Sequence, residues 1–238
     1  RREAGRLLAL ELIGAGLVGQ APDHVVVGLA RGGVEVAAEV AAVLHAPLDA
    51  LAVRKVGHPL EPEYGIGAVA QGAVAYVRAH DGLSDNEVSA AVLAAAKEAA
   101  ALDAALHEDY APVSVADTTC VLVDDGLATG GTMVAAIRWA RAHGARRVIV
   151  AVPVGATLTV DRLRRHEDVD AVVCLAPSFE LGAISAWYED FHQVSDTDVA
   201  QLLAASRARK VVTSAAEIVF GDARLPAELA IPASPIGW

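Results

Sequence analysis

The chain has 238 residues, of which 54% are hydrophobic and only 4% are aromatic. This length is enough for one α/β domain with a core of Ala, Val and Leu, plus some appendage. The formal net charge of −11 argues against a surface that binds nucleic acid or an anionic membrane. No apolar stretch reaches the roughly 18 residues of a membrane span. The two cysteines lack disulfide or metal spacing, so we expect a cytoplasmic protein.

Helices and strands alternate along the first half of the chain. The N-terminal segment could pass for a signal peptide, but Glu11 interrupts its apolar part, and we expect an amphipathic helix there. His107, near the end of a long predicted helix, is interpreted as a surface histidine. The other expected elements are strands over 24–29 and 48–53, helices over 34–44 and 85–110, and a hairpin over 66–77.

Two short stretches in this half carry positive charge. The turn 30–33 contains Arg31 and two glycines, which let a backbone approach a ligand closely; the alternative is that Arg31 is an ordinary surface charge. Arg54 and Lys55 follow the strand over 48–53 and project to opposite sides if the chain stays extended. The residues over 56–64 contain glycine and prolines without apolar periodicity, which predicts a loop that is open or poorly ordered without a ligand.

The stretch over 120–133 organises the site that we predict. Apolar residues over 120–123 suit a buried strand, Asp124 and Asp125 end it, and small or hydroxyl residues lead into a helix over 133–142. Unpaired amides at a helix N-terminus behind a glycine-rich turn make an anion site. The aspartates face the same ligand, so a phosphorylated sugar with free hydroxyls fits. The missing lysine excludes a nucleotide-triphosphate loop, and the glycine spacing excludes the dinucleotide fingerprint.

The second half continues the alternation with strands over 146–152 and 169–175 and helices over 156–166 and 195–208. Glycine loops then stand at the C-terminal ends of the strands. This arrangement predicts an α/β fold with a doubly wound, mainly parallel sheet. The segment over 177–196 differs from its surroundings because it is rich in aromatic residues.

The run DDGLATGGTM resembles the phosphoribosyl pyrophosphate (PRPP) motif of type I phosphoribosyltransferases, most of all the adenine phosphoribosyltransferase version. The resemblance implies Mg²⁺-dependent transfer of ribose 5-phosphate from PRPP to a small acceptor, expected to be a nucleobase, with release of pyrophosphate. We also expect a homo-oligomer. Asp124 and Asp125 would hold the ribose hydroxyls and the metal, and would stabilise positive charge on the ring. The 5-phosphate would rest on Gly126, Leu127, Ala128, Thr129, Gly130, Gly131 and Thr132.

The resemblance also implies a pyrophosphate site in the first turn, with a cis peptide bond between Ala30 and Arg31. Its binding residues would be Ala30, Arg31, Gly32 and Gly33. Arg54 and Lys55 would belong to a mobile loop that closes over the reaction and stabilises the departing pyrophosphate. Glu63 in that loop would exchange a proton with the acceptor base, unless it is simply a solvated acid.

A small hood covers the base in the resembled family, and it corresponds here to the aromatic segment over 177–196. Trp187 or Tyr188 would stack on the base, unless these rings only fill the junction between the sheet and the last helix. The 6-oxopurine enzymes carry an aspartate where this chain has Ala128, which disfavours hypoxanthine or guanine as the acceptor. A rival hypothesis is a module that binds PRPP or a nucleotide without turnover and regulates a fused domain.

The C-terminal residues over 209–238 form a separate extension in this interpretation, after a phosphoribosyltransferase-like domain over 1–208. Short alternating runs around Gly221 and Asp222 predict a β-hairpin. The extension weakly resembles the start of a dienelactone-hydrolase-like domain, so we expect the chain to be a piece of a longer protein. No G-x-S-x-G nucleophile motif is present, so no hydrolase activity follows.

Overall fold

The structure is a computed structural model that describes residues 1–19, 23–61, 64–78, 82–214, 217–220 and 223–226. Helices and strands alternate along most of this length. The helices are α1 (Arg2–Gly14), α2 (Gly32–Leu44), α3 (Asp85–Leu106), α4 (Gly131–Ala142), α5 (Thr157–Arg164) and α6 (Asp196–Ser214). The strands are β1 (His24–Ala30), β2 (Leu48–Gly57), β3 (Gly65–Ala70), β4 (Val74–Val77), β5 (Thr119–Val123), β6 (Arg147–Ala156), β7 (Ala171–Ser178), β8 (Glu217–Phe220) and β9 (Ala223–Pro226).

The main sheet has seven strands in the order β4-β3-β2-β1-β5-β6-β7. The pairs from β2 through β1, β5 and β6 to β7 are parallel, whereas β3 and β4 add an antiparallel hairpin at one edge. This confirms the doubly wound, mainly parallel sheet. The chain order reverses between β1 and β5, and open α/β sheets bind ligands in the crevice at such a switch point.

The core lies on both faces of the central strands. Val26 on β1 packs with α1 and α2, whereas Val25 and Val27 pack with α4 on the other face. Because both faces are covered, the central strands are continuous apolar runs rather than alternating ones. The sheet therefore forms a rigid base for whatever its C-terminal ends carry.

Two helices begin earlier than their apolar periodicity indicated. The structure starts α2 at Gly32 and α4 at Gly131, not at residues 34 and 133. Glycine carries no apolar signal, so a pattern of hydrophobic residues cannot detect a first turn that contains it. Gly32 and Gly33 of the first turn and Gly131 of the second consequently lie in the first turns of helices, where free amide groups are found.

The loop expected over 56–64 is shorter and better anchored than predicted. Val56 and Gly57 belong to β2, and the Val56 side chain is fully buried against Ile66, Val69 and Ala95. The amide of His58 donates to the Tyr64 carbonyl at 2.8 Å, which joins the two ends of the connection between β2 and β3. The prediction missed this because Val56 pairs with residues far along the chain. Glu63 lies outside the described residues.

His107 is not the surface histidine that the sequence indicated. It follows the last turn of α3, and its Nε2 lies 3.0 Å from Asp49 Oδ1, with both side chains nearly buried. Asp49 also accepts the Val113 amide at 2.7 Å. Asp49 on β2 therefore pairs with His107 inside the protein. No pattern in the local sequence indicates this pairing.

The hairpin expected in the C-terminal extension is present, because β8 and β9 pair in antiparallel fashion. Helix α6 is capped by Ser195 and Asp198 as predicted, but it continues to Ser214, past the expected end at 208. The division into domains at 208 and the hydrolase likeness both stay predictions. None of the helices described in the structure is long and apolar enough to cross a membrane.

Candidate active site

Two glycine turns meet at the switch point of the sheet. Strands β1 and β5 are parallel neighbours with Gly28 level with Val123, so their C-terminal ends lie side by side. The first turn leads from β1 into α2, and the phosphate loop, 126–132, leads from Asp124 and Asp125 into α4. The fold thus places the two predicted anion sites next to each other.

The first turn packs directly against the acid pair. A Cβ atom on Gly33 would lie 2.7 Å from the Val123 carbonyl oxygen and 2.9 Å from the Asp124 Cα atom. A Cβ atom on Gly32 would overlap the Asp125 carboxylate. The peptide bond between Ala30 and Arg31 is cis, as the family resemblance implied. Only glycine therefore fits where α2 begins, and the N-terminus of α2 faces the acids.

Asp124 lies in surroundings that disfavour a charged carboxylate. Its Oδ1 accepts the Asp125 amide at 2.8 Å. Burial raises the pKa of Asp124 well above its usual range, and the Asp125 carboxylate raises it further, while Lys55 and Arg1 act in the opposite direction. A carboxylate in this state is stabilised by a cation or by hydroxyl donors placed beside it. The acid pair therefore suits a ligand that carries a cation or hydroxyl groups.

Asp125 is held from two sides by residues that the sequence analysis did not select for this role. Arg1 donates to its Oδ2 from Nε at 3.1 Å and from Nη2 at 3.0 Å. The Tyr188 hydroxyl donates to the Asp125 carbonyl oxygen at 2.6 Å. Burial raises the pKa of Asp125 and of Tyr188, and the Arg1 guanidinium opposes the rise at Asp125. Nothing in the local sequence could link Arg1 to an acid more than a hundred positions away.

The phosphate loop is held in place by hydrogen bonds to its carbonyl groups. Leu127 is buried, and its amide and carbonyl pair with Val154 and Ala156 at the end of β6. The carbonyl of Ala128 accepts from Thr159 at 2.7 Å, and that of Thr129 accepts from Arg162 at 2.5 Å. Both donors belong to α5. The carbonyl dipoles of the loop are thereby directed toward α5.

The amides of the same loop are free of protein partners. Within the described part of the chain, no group accepts from the amides of Ala128, Thr129, Gly130, Gly131 or Thr132. Gly130 has φ of +81°, which turns the chain from the loop into α4. Several open amides at a helix N-terminus form an anion site of the kind that binds phosphate.

The predicted cations take different positions around the site. Lys55 is exposed on β2 and acts electrostatically on Asp124. Arg54, its neighbour on the strand, is half-buried and donates to the Val53 carbonyl at 3.1 Å. Arg31 lies 3.6 Å from Asp196 at the start of α6. Lys55 therefore acts on the acid pair, Arg31 shares a cavity with Asp125 but pairs with Asp196, and no contact among the described residues joins Arg54 to the pair.

The aromatic segment lies over the phosphate loop and the acid pair. A single 3-10 turn, Ile184–Trp187, brings Ile184 against Gly126. The Trp187 side chain is partly exposed, with Nε1 donating to the Leu181 carbonyl at 2.8 Å. The Tyr188 ring centroid lies 5.4 Å from that of Phe191. A cavity of about 360 Å³, lined partly by Arg31, Asp125 and Phe191, opens beside this segment.

A metal ion would need help from a ligand to bind here. Among the residues that the structure describes, no group of three His, Cys, Asp or Glu side chains is placed to hold one. Mg²⁺ is commonly held by one or two carboxylates together with substrate phosphates. Asp124 and Asp125 fit that mode of binding, because they lie beside the open amides that suit a phosphate.

Comparison with known proteins agrees with this geometry. The profile of the phosphoribosyl transferase domain matches residues 4–187. The chain belongs to the phosphoribosyl transferase domain family. Proteins from two strains of Mycobacterium tuberculosis, provisionally named phosphoribosyl transferases, are 40% identical over 217 residues, covering 85% of this chain and 45% of theirs. The chain therefore spans about half the length of these relatives.

A solved structure supports the fold of the domain. The crystal structure of the protein TT1426 from Thermus thermophilus aligns with a TM-score of 0.72 and 36% sequence identity. The alignment covers 86% of this chain and 96% of that protein. The doubly wound sheet of this phosphoribosyl transferase domain is therefore shared with a solved relative.

Proposed function

We propose that this domain transfers ribose 5-phosphate from PRPP to a nucleobase-like acceptor and releases pyrophosphate. The bond between ribose C1 and the pyrophosphate oxygen breaks, and pyrophosphate leaves with the electron pair. A bond forms between C1 and a ring nitrogen of the acceptor, which gives up its proton. The observation that carries the proposal is the acid pair, placed between open helix N-termini at the switch point.

The phosphate loop would hold the 5-phosphate. The amides of Thr129 and Gly130 share planar peptide groups with the two carbonyls that α5 binds, so these amides point away from α5. The hydroxyls of Thr129 and Thr132 would add donors. Leu127 would support the loop from inside, since its amide already donates to Val154.

Asp124 and Asp125 would bind ribose hydroxyls and stabilise the positive charge that develops on the ring as the C1 bond breaks. Such stabilisation acts in the transition state more than in the ground state, so it raises the rate rather than the affinity. Pyrophosphate would lie toward the first turn, against the amides of Gly32 and Gly33, with Arg31 and Lys55 nearby. When bound, Mg²⁺ would neutralise the pyrophosphate charge.

The acceptor would occupy the cavity beside the aromatic segment. Phe191 lines this cavity, whereas Trp187 and Tyr188 do not. Stacking by Trp187 or Tyr188 stays a prediction: the Trp187 ring is partly exposed, and the Tyr188 hydroxyl donates to the Asp125 carbonyl. Ala128 carries no side chain that could bind a 6-oxo group, which favours adenine or another acceptor. A cytoplasmic location and assembly into a homo-oligomer belong to the same proposal.

The proposal is tested by measuring pyrophosphate release from PRPP and Mg²⁺ across a panel of acceptor bases. Adenine is expected to support turnover better than hypoxanthine or guanine. The control omits the acceptor, because PRPP hydrolysis alone would also release pyrophosphate. Failure of every acceptor with a protein that binds PRPP would leave the domain as a binding module.

The short turn between β2 and β3 favours that second candidate, because it offers little chain to close over PRPP. Lys55 separates the two functions. In an enzyme, Lys55→Ala is expected to lower the rate about 10²–10³-fold while weakening PRPP binding much less. Initial rates beside a direct PRPP dissociation constant make the comparison. Equal losses in both quantities would indicate ordinary ground-state binding.

A further inference from the structure

A buried guanidinium joins the acid pair to two other parts of the molecule. The Arg1 side chain is only 4% exposed. Besides Asp125, it pairs with Glu35 of α2 at 3.4 Å and donates to the His192 carbonyl at 2.8 Å. Its Cζ lies 3.9 Å from the Phe191 ring centroid. One side chain therefore contacts α2, the acid pair and the aromatic segment at once.

Neighbouring basic residues of α1 show how unusual this placement is. Arg2 has 71% of its side chain exposed and reaches Glu35 only at 3.9 Å. Arg6 has 63% of its side chain exposed and pairs with Glu39 at 2.9 Å. Exposed pairs of this kind contribute little to stability. A guanidinium removed from water must instead be satisfied by well-placed acceptors, and Arg1 finds them on Asp125, Glu35 and His192.

The geometry points to Arg1 as a positioning residue that fixes the Asp125 carboxylate for a ribose hydroxyl. This inference rests on the proposed function and deepens it. Both guanidinium bonds end on Oδ2 of Asp125, and no side chain among the described residues bonds its Oδ1. One oxygen is therefore fastened to the protein, which leaves the other to accept from the sugar. Asp124 has no such anchor among the described residues, so the two acids are not equivalent.

Binding of sugar phosphates tests this inference without turnover. The probes are ribose 5-phosphate and its 2-deoxy and 3-deoxy analogues, titrated by calorimetry. The wild-type protein is expected to prefer ribose 5-phosphate over one of the analogues by roughly tenfold, because one charge-assisted hydrogen bond is lost. In Arg1→Gln that preference is expected to disappear, while the shared phosphate affinity persists on the loop amides. Arg1→Lys is expected to restore only part of it, since an ammonium lacks the planar fork.

Stability must be separated from positioning, because Arg1→Gln removes the buried cation that Asp125 and Glu35 share and leaves Glu35 only the more exposed Arg2 and His192. The double variant Arg1→Gln/Glu35→Gln removes one of these carboxylates. It is expected to recover the melting temperature but not the preference for ribose. If PRPP turns over, the double variant is also expected to stay about 10²-fold slow, the usual cost of a misplaced catalytic group. Arg6→Gln is the matched control and should change neither quantity.

The outcomes are distinct. A wild-type protein that binds all three sugar phosphates equally overturns the ribose role of the acid pair, and the role of Arg1 with it. A wild-type protein that discriminates, beside an Arg1→Gln variant that discriminates as well, overturns the role of Arg1 alone. Recovery of both melting temperature and ribose preference in the double variant would make Arg1 only a structural counter-ion to Glu35.

Discussion

Two glycine turns meet at the acid pair, one after β1 and one after β5, and their surroundings differ. In the first turn, Gly32 and Gly33 have no room for a side chain, because the acids and the end of β5 press against them. In the phosphate loop, Gly131 has no atom within 4 Å of where a Cβ would stand. Glycine in one turn permits close packing of protein against protein. In the phosphate loop, Gly126 and Gly130 are packed as well, against Ile184 and Thr159, but Gly131 leaves open space, which a ligand requires.

The fastening of the two turns differs as well. The first turn is short, since only Arg31 separates the end of β1 from the start of α2. The phosphate loop is longer and depends on α5, which engages the carbonyls of Ala128 and Thr129. The proposed phosphosugar site thus combines a turn fixed by packing with a loop fixed by hydrogen bonds. Substitutions can therefore weaken the packing of one turn and the hydrogen bonds of the other separately.

The largest effect is expected from the acids themselves, which lie between the turns. Asp124→Asn with Asp125→Asn is expected to abolish turnover, because the ring cation loses its counter-charge. Ribose 5-phosphate should still bind, more weakly, since its phosphate rests on the loop amides. Calorimetry with ribose 5-phosphate and AMP, beside initial rates, makes the measurement. Loss of all binding by a folded variant would contradict the division of roles.

A methyl group added to each turn sharpens the contrast between them. Gly33→Ala is expected to cost about 1–3 kcal/mol of unfolding free energy, because the methyl group overlaps β5. It should also displace α2 from Asp124 and slow the reaction. Gly131→Ala enters open space at the start of α4 and should leave stability unchanged or slightly higher. Thermal unfolding of both variants makes the measurement, and equal losses of stability would show that Gly33 and Gly131 do not differ in packing.

Loosening the hydrogen-bonded turn should have a smaller effect. Thr159→Val removes the hydroxyl that donates to the Ala128 carbonyl, and Arg162→Gln removes the guanidinium that donates to the Thr129 carbonyl. Each is expected to weaken ribose 5-phosphate binding about fivefold, as loss of one hydrogen bond of about 1 kcal/mol implies. Arg164→Gln is the control, since Arg164 lies on the same helix and pairs with Asp161 at 3.1 Å rather than with the loop. An unchanged affinity in both loop variants would show that the amides hold their direction without α5.

The parts of this site that could be predicted share a local cause. Asp124, Asp125 and the residues over 126–132 form one uninterrupted motif, and the sheet order brings the turn over 30–33 beside it. The contacts of Arg1, Tyr188 and Arg162 could not be found, because each reaches the site through folding from a distant place. The role of Lys55 stays a prediction, and the predicted loop began too early, because Val56 belongs to β2 and is held by long-range packing. Periodicity reports which faces are buried, and it does not report which distant side chains meet.

The smallest effect on the site is expected from the hydrogen bond between His107 and Asp49, which lies away from it. Its loss tests whether the site is independent of this bond. The hydrogen bond to Asp49 raises the pKa of His107, against the opposing effect of burial. A raised folded-state pKa stabilises the protein fully below the unfolded value of about 6.5, and the contribution is lost as pH rises through the folded-state pKa.

His107→Gln should therefore reduce the free energy of unfolding at pH 6, by about 1–2 kcal/mol, and reduce it less at pH 9. Urea unfolding at both pH values measures this difference. His143→Gln is the control, since His143 also caps a helix through a carbonyl four residues back, at 2.8 Å, and no described carboxylate pairs with it. Binding of ribose 5-phosphate should be the same in both variants as in the wild type. If His107→Gln lowers the free energy of unfolding equally at both pH values, packing rather than charge anchors the end of α3. If His107→Gln weakens ribose 5-phosphate binding, the first turn is not held by packing alone, because β2, which carries Asp49, lies beside β1.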